Sequence, residues 1–150
     1  MKGIQDCIFA AALVPQSIND TATAGTAVDT QPNGNKASHV TFVFGLGATT
    51  ADFDAAAVFI SECETSGGSY TAITGTVLLG STGLAILSTD DNGVWTIDVP
   101  ITGGRKRFLK LNADPGAAAT LMAAFAILSG CANTPSTAAQ AGLVDWKRIG

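Results

Sequence analysis

Apolar and polar residues alternate with a period of two along much of this chain. Between Ser38 and Ile73 the pattern is clearest: Val40, Phe42, Phe44 and Leu46 face one way, and His39, Thr41 and Val43 the other. The polar segment Gly47-Ala48-Thr49-Thr50-Ala51-Asp52 interrupts it, a second apolar strand runs from Ala55 to Glu62, and Glu64 to Ser69 forms a polar turn that ends on Tyr70. Such alternation, rich in β-branched and aromatic residues and punctuated by Gly, Ser and Thr, predicts an antiparallel sheet with one face buried.

The rest of the chain follows the same grammar. Val94 to Ile101 places Trp95, Ile97, Val99 and Ile101 inward and Thr96 and Asp98 outward, after the turn Asp90-Asp91-Asn92-Gly93 with Gly93 expected at the left-handed position. Lys106 to Asp114 is a further strand with Leu109 and Leu111 toward the core, and Asp114-Pro115-Gly116 connects it to an apolar strand from Ala117 to Ser129. Near the start, Ile8 to Val14 is a first strand or an arm. Gln16 to Thr23 and Thr26 to Thr30 are short strands around Ala24-Gly25, and Gln31 to Asn35 is a turn.

The Ala, Leu and Met content of Ala117 to Leu128 also permits a helix. Gly116 and Gly130 at its ends and the strand-rich surroundings favour a strand covered on both faces, with Leu121, Ala123, Phe125 and Ile127 on one side and Met122, Ala124, Ala126 and Leu128 on the other. Its length falls short of the ~20 residues that cross a bilayer, so no membrane partner is expected. Lys2 followed by Ile8 to Val14 faintly resembles a secretory leader, but Gln5 and Asp6 interrupt the approach and the apolar run is minimal.

These elements predict an all-β chain: an antiparallel β-sandwich, jelly-roll-like, of about eight strands with extended terminal arms. At 150 residues it is one domain, able to bury roughly 70% of its unfolded surface without staples. Residues 1–15 are the N-terminal strand or arm, 16–132 the sandwich, and 133–150 a tail dominated by Pro, Ser, Thr, Ala and Gln.

Charged residues make up 13% of the chain and hydrophobic types 47%, against about 25% charged in an ordinary soluble domain. So thinly charged a surface is poorly protected against association, and part of it is expected to be covered by partners; the alternative is a compact monomer with a Ser/Thr/Gly surface. The net charge of −4 opposes a nucleic-acid face. Arg105, Lys106, Arg107 and Lys110 do cluster, as the solvated start of an edge strand or as a contact for an acidic partner. Cys7, Cys63 and Cys131 are widely spaced and form no metal or disulfide pattern, which suits reduced, buried thiols in a reducing cytoplasm.

Candidate chemistry is sparse. Gly75 to Thr82 has the glycine spacing of a phosphate-binding loop, but Ser81 stands where that loop needs Lys. Asp90, Asp91 and Asn92 lack the spaced ligands and terminal Glu of a calcium loop. His39, the one histidine, lies opposite the apolar face of its strand and would have to carry general acid–base or zinc chemistry alone. Glu62 and Glu64 share a strand phase, as glycosidase carboxylates could, but seven Phe, two Trp and one Tyr leave few candidates for a sugar platform, and the pair reads as a solvated strand end. No enzyme activity, cofactor or metal is expected, and a β-sandwich hydrolase is the least favoured class.

The order Val14-Pro15-Gln16-Ser17-Ile18, Ala27-Val28-Asp29-Thr30, His39 to Gly47, Val58 to Glu64 with Gly67 to Ile73, and then Arg107-Phe108-Leu109-Lys110-Leu111 resembles small head proteins of tailed bacteriophages. The likeness spans roughly Val14 to Pro135 and lies in the pattern, with no diagnostic motif. It implies a β-sandwich or jelly-roll decoration (cement) protein that binds the outside of an assembled capsid as a dimer or trimer. Its partners would be the major capsid protein and itself, and its place the outer surface of a virion assembled in the bacterial cytoplasm. The chain departs from the pattern in Thr74 to Ser88 and in its Trp146-containing tail, so symmetry and contact residues do not follow from the resemblance.

On this reading, sheet faces carrying Ala57, Phe59, Met122, Ala124 and Ala126 mediate self-association. The arms Met1 to Pro15 and Asn133 to Gly150 reach the capsid or a neighbouring copy, with Trp146, Lys147 and Arg148 as anchor. A phage tail or baseplate β-module that binds host glycan or protein would show the same strand grammar.

Overall fold

A computed structural model describes residues 6–19, 23–49, 58–73, 86–115 and 119–143. Among them are nine strands: β1 (Ile8–Ile18), β2 (Thr23–Ala24), β3 (Val28–Asp29), β4 (His39–Leu46), β5 (Val58–Cys63), β6 (Thr71–Ala72), β7 (Val94–Pro100), β8 (Phe108–Ala113) and β9 (Thr120–Ser129). One sheet has the order β1-β9-β4-β7; in the other, β8 lies between β5 and the short strands β2 and β3, and β6 flanks β5. Every pairing is antiparallel. Setting β3 aside, the first strand pairs with the last (β1 with β9), the second with the second-last (β2 with β8), and then β4 with β7 and β5 with β6. This nesting is that of a long hairpin rolled up on itself, a jelly roll. The expected all-β sandwich is what forms: β3 falls within the strand expected at Thr26 to Thr30, and β2 and β6 are short strands that the pattern does not predict.

The core lies between the sheets and follows the alternation in the sequence. On β4, Val40, Phe42, Phe44 and Leu46 are buried, whereas Thr41 and Val43 are half-buried and His39 is exposed. β7 contributes Ile97 and Val99, with Ile101 just beyond its end, while Trp95 packs on the core's border and stacks on Phe44 with ring centroids 5.8 Å apart. From the second sheet come Val58, Ile60, Leu109 and Leu111.

Lateral volume decides which side of β9 turns inward. The register sets Phe42 beside Ala126, Phe44 beside Ala124 and Leu46 beside Met122. Bulky β4 side chains thus fill the core above the small residues of β9, as close packing requires. Met122, Ala124 and Ala126 are therefore core residues, 2%, 6% and 0% exposed. That corrects their expected role in self-association, because a buried side chain offers nothing to a second molecule.

Other expectations change at the chain's borders. β1 continues through Pro15 to Ile18 as one strand of the first sheet, so the short strand expected from Gln16 merges with it. Its register on β9 shifts between Ala11 and Leu13 and again between Leu13 and Gln16. These irregularities bury Ala12 and Leu13 in succession and swing Val14 and Pro15 outward. At the 90–93 turn the left-handed residue is Asn92, with φ 58°, and not Gly93. Gly93 is kept small by the Trp95 ring, against which any Cβ would collide.

The expected extended tail is folded at least to Leu143. Asn35 Nδ2 donates to the Asn133 carbonyl (2.7 Å) and Asn133 N–H to Asn35 Oδ1 (3.0 Å). A turn over 137–143 then returns to β1, where Phe9 N–H donates to the carbonyl of the fully buried Ala141 at 2.6 Å. Ala57, the phosphate-loop-like Gly75 to Thr82, and the anchor Trp146, Lys147 and Arg148 lie outside the described residues.

Candidate interaction face

With Met122, Ala124 and Ala126 inside, the other side of β9 faces out. Leu121 and Phe125 are 66% and 45% exposed, with Ala123 half-buried between them and Ile127 half-buried beyond Phe125. In register, Phe125 is flanked by Ala11 of β1 and Val43 of β4, and Ala123 by Gly45, which in turn meets Val94 of β7. Val94 is 71% exposed and Val14, pushed out by the β1 irregularity, 57%. Among the described residues, four of the five exposed large hydrophobic side chains thus belong to this one sheet. Between them is an open hollow of about 430 Å³ with Ala11, Gly45 and Ala123 among its small lining residues.

No charged residue lines this half of the face. The other half is polar: Asp98 Oδ1 accepts from Thr41 Oγ1 at 2.7 Å, and Asp98 Oδ2 lies 3.2 Å from His39 Nδ1. His39 is therefore a sheet-surface residue, as its strand phase predicts.

Three of the four basic side chains in the cluster, Arg105, Arg107 and Lys110, engage the protein's own groups. Arg107 grips Asp29 through two hydrogen bonds, Nε to Oδ1 at 2.8 Å and Nη2 to Oδ2 at 2.7 Å. Lys110 Nζ lies 4.3 Å from the Tyr70 ring centroid, a cation–π contact. Arg105 Nη1 donates to Glu62 Oε2 at 3.1 Å, and Lys106 N–H reaches the same oxygen at 3.2 Å. Glu62 is thus no solvated strand end: it shares the inward phase of Val58 and Ile60, and Arg105 neutralises it at the rim of the core. Glu64 is exposed beyond the strand.

Phe59, expected on a self-association face, is half-buried opposite Asn112 on the outside of the second sheet. The surface around it is polar, with Asn112 Nδ2 donating to the buried Ser61 Oγ at 2.8 Å. Cys63 and Cys131 are buried and Cys7 half-buried, all as thiols. Among the described residues no group of three or more His, Cys, Asp or Glu side chains is placed to hold a metal ion.

The Arg107 hydrogen bonds hold the Asp29 carboxyl below its ordinary 3.8, against partial burial, which pushes it up; Gln31 N–H and the charge of Arg107 add to the lowering. A carboxyl with a lowered folded value adds stability above its unfolded value and loses it as pH falls through the folded one. Asp29→Asn is accordingly expected to flatten the acid limb of stability below about pH 4. Urea midpoints of both proteins, followed from pH 5 downward, check this; parallel acid limbs would show that the pair is not coupled to folding.

No protein-family model, curated protein or solved structure matches this chain.

Proposed function

We propose that this is a non-enzymatic structural protein of a bacteriophage virion, which binds the outer surface of the capsid and stabilises it by bridging major capsid protein subunits. The observation that carries the reading is the distribution of its side chains. Three members of its basic cluster are engaged within the fold by an acid or an aromatic ring, while the apolar half of a sheet face, whose hollow has no charged lining residue, is left open to water. Such a surface is made to be covered by protein. The resemblance to phage head proteins from Val14 to Pro135 favours the capsid as the partner, and jelly rolls recur in viral shells, which is support by analogy.

A protein that binds the assembled lattice better than free subunits stabilises the lattice by mass action. Many identical weak contacts, linked by oligomerisation, add up to high avidity. Neither step needs a catalytic group.

The test is cosedimentation of the full chain with expanded and with unexpanded capsids assembled from the major capsid protein of the same phage. Saturable binding to expanded capsids is expected, with a raised melting temperature of the shell. Binding to neither form overturns the reading.

A further inference from the structure

We propose that the apolar half of the β1-β9-β4-β7 face is the contact between two copies of this chain, packed face to face about a two-fold axis. The inference deepens the reading of the chain as part of an assembly and names what covers this surface.

Size is the first argument. Val14, Val94, Leu121 and Phe125, exposed by 57%, 71%, 66% and 45%, together present about 400 Å² of apolar side chain, within the range of the largest, often functional patch on a monomer. That is roughly half of what one partner brings to a stable interface. Exposed Ala11 and Pro15 and half-buried Val43 and Ala123 continue the same surface.

Charge selects the occupant. A different protein chosen by an acidic chain would be recognised through complementary charges, and the residues lining the hollow carry none. In a two-fold contact the same patch meets itself, so any charge near the axis would face its own like. A hollow lined by uncharged residues on a chain of net charge −4 satisfies that condition. The carboxylate this face does carry, Asp98, sits at the far end of the strands and is tied to Thr41 and His39.

Shape points the same way. Projecting side chains, Leu121 and Phe125, stand on the same face as a hollow with small residues on β1, β4 and β9. A ridge beside a hollow is self-complementary, because the two-fold sets the ridge of each copy into the hollow of the other.

Two variants of the full chain test this. Phe125→Asp places a charge on the ridge. Gly45→Leu reaches into the hollow from a position with room for a Cβ, which would meet nothing nearer than the Gly93 carbonyl oxygen at 3.8 Å. Sedimentation equilibrium should give twice the chain mass for the native protein at roughly 100 µM, and dissociation at least about tenfold easier in each variant. Circular dichroism and melting curves verify that the variants are folded, and a loss of dimer in either folded variant supports the contact. A native protein that sediments as a single chain or as a trimer overturns the proposal, as do two folded variants that dimerise like the native protein. No capsid enters the measurement, so a dimer that ignores capsids refutes the virion role and leaves the contact standing.

Discussion

Replacing Phe42 by Ala is expected to cost about 4 kcal/mol of folding stability and to lower the melting temperature by roughly 10 °C. Phe42 is fully buried on β4, which lies between β9 and β7, and its lateral neighbours are Ala126 and Ile97. Ala126 is too small to expand into the space, and Ile97 is fixed by its branched side chain and its strand. The void therefore stays open, and its lining loses contacts that nothing replaces. Urea unfolding with an unchanged m-value measures the loss. A cost below about 1 kcal/mol would show that the two sheets close up over the site.

Gly25→Ala is expected to destabilise the protein by about 3 kcal/mol without removing a single side-chain contact. Gly25 lies where the chain passes between the sheets: its N–H donates to the Leu111 carbonyl of β8 at 2.7 Å, and the next N–H, Thr26, donates to the Ala12 carbonyl of β1 at 2.8 Å. An added Cβ would collide with the Ala12 carbonyl oxygen and come within 2.9 Å of that of Leu111. Both obstacles are backbone atoms held in paired strands, so relief requires parting the bridge and losing hydrogen bonds worth about 1 kcal/mol each. Thermal and urea unfolding test it, and a variant as stable as the native protein would mean that the bridge is slack.

The strands with one polar face were legible in the sequence. On β4 and β7 alternation alone assigned the core, because Thr41, Thr96 and Asp98 mark the outside. β9 was legible as a strand but not in its orientation. Both of its faces are apolar, so period-two patterning carries no sign, and the choice falls to a neighbour 84 residues away, as in Phe42 beside Ala126. Had the volumes been compared, Ala124 and Ala126 would have been the side able to sit beside two phenylalanines, leaving Leu121 and Phe125 outside.

The folded tail was hidden for a different reason. It is held by backbone groups, Ala141 to Phe9, and by a pair of asparagines, Asn35 and Asn133, whose composition is that of any loop. Glu62 was misread because its partner, Arg105, is brought to it only by the pairing of β5 with β8. The candidate face combines these cases. Its residues were visible as apolar positions, but their exposure depends on the orientation of β9 and on the irregular register of β1.

The nested pairing has a consequence for how the molecule is made. Ile8 is partnered by Leu128, so β1, synthesised long before β9, waits for it. Among the described strands only the β5–β6 pair closes over a short loop, and each pair outside it spans a longer stretch of chain. A topology of such high contact order folds on the order of milliseconds to seconds. During that wait Ile8, Leu13 and Ile18 have no sheet to enter. The nascent N-terminal strand is thus the segment most in need of a chaperone's protection, until β9 arrives to claim it.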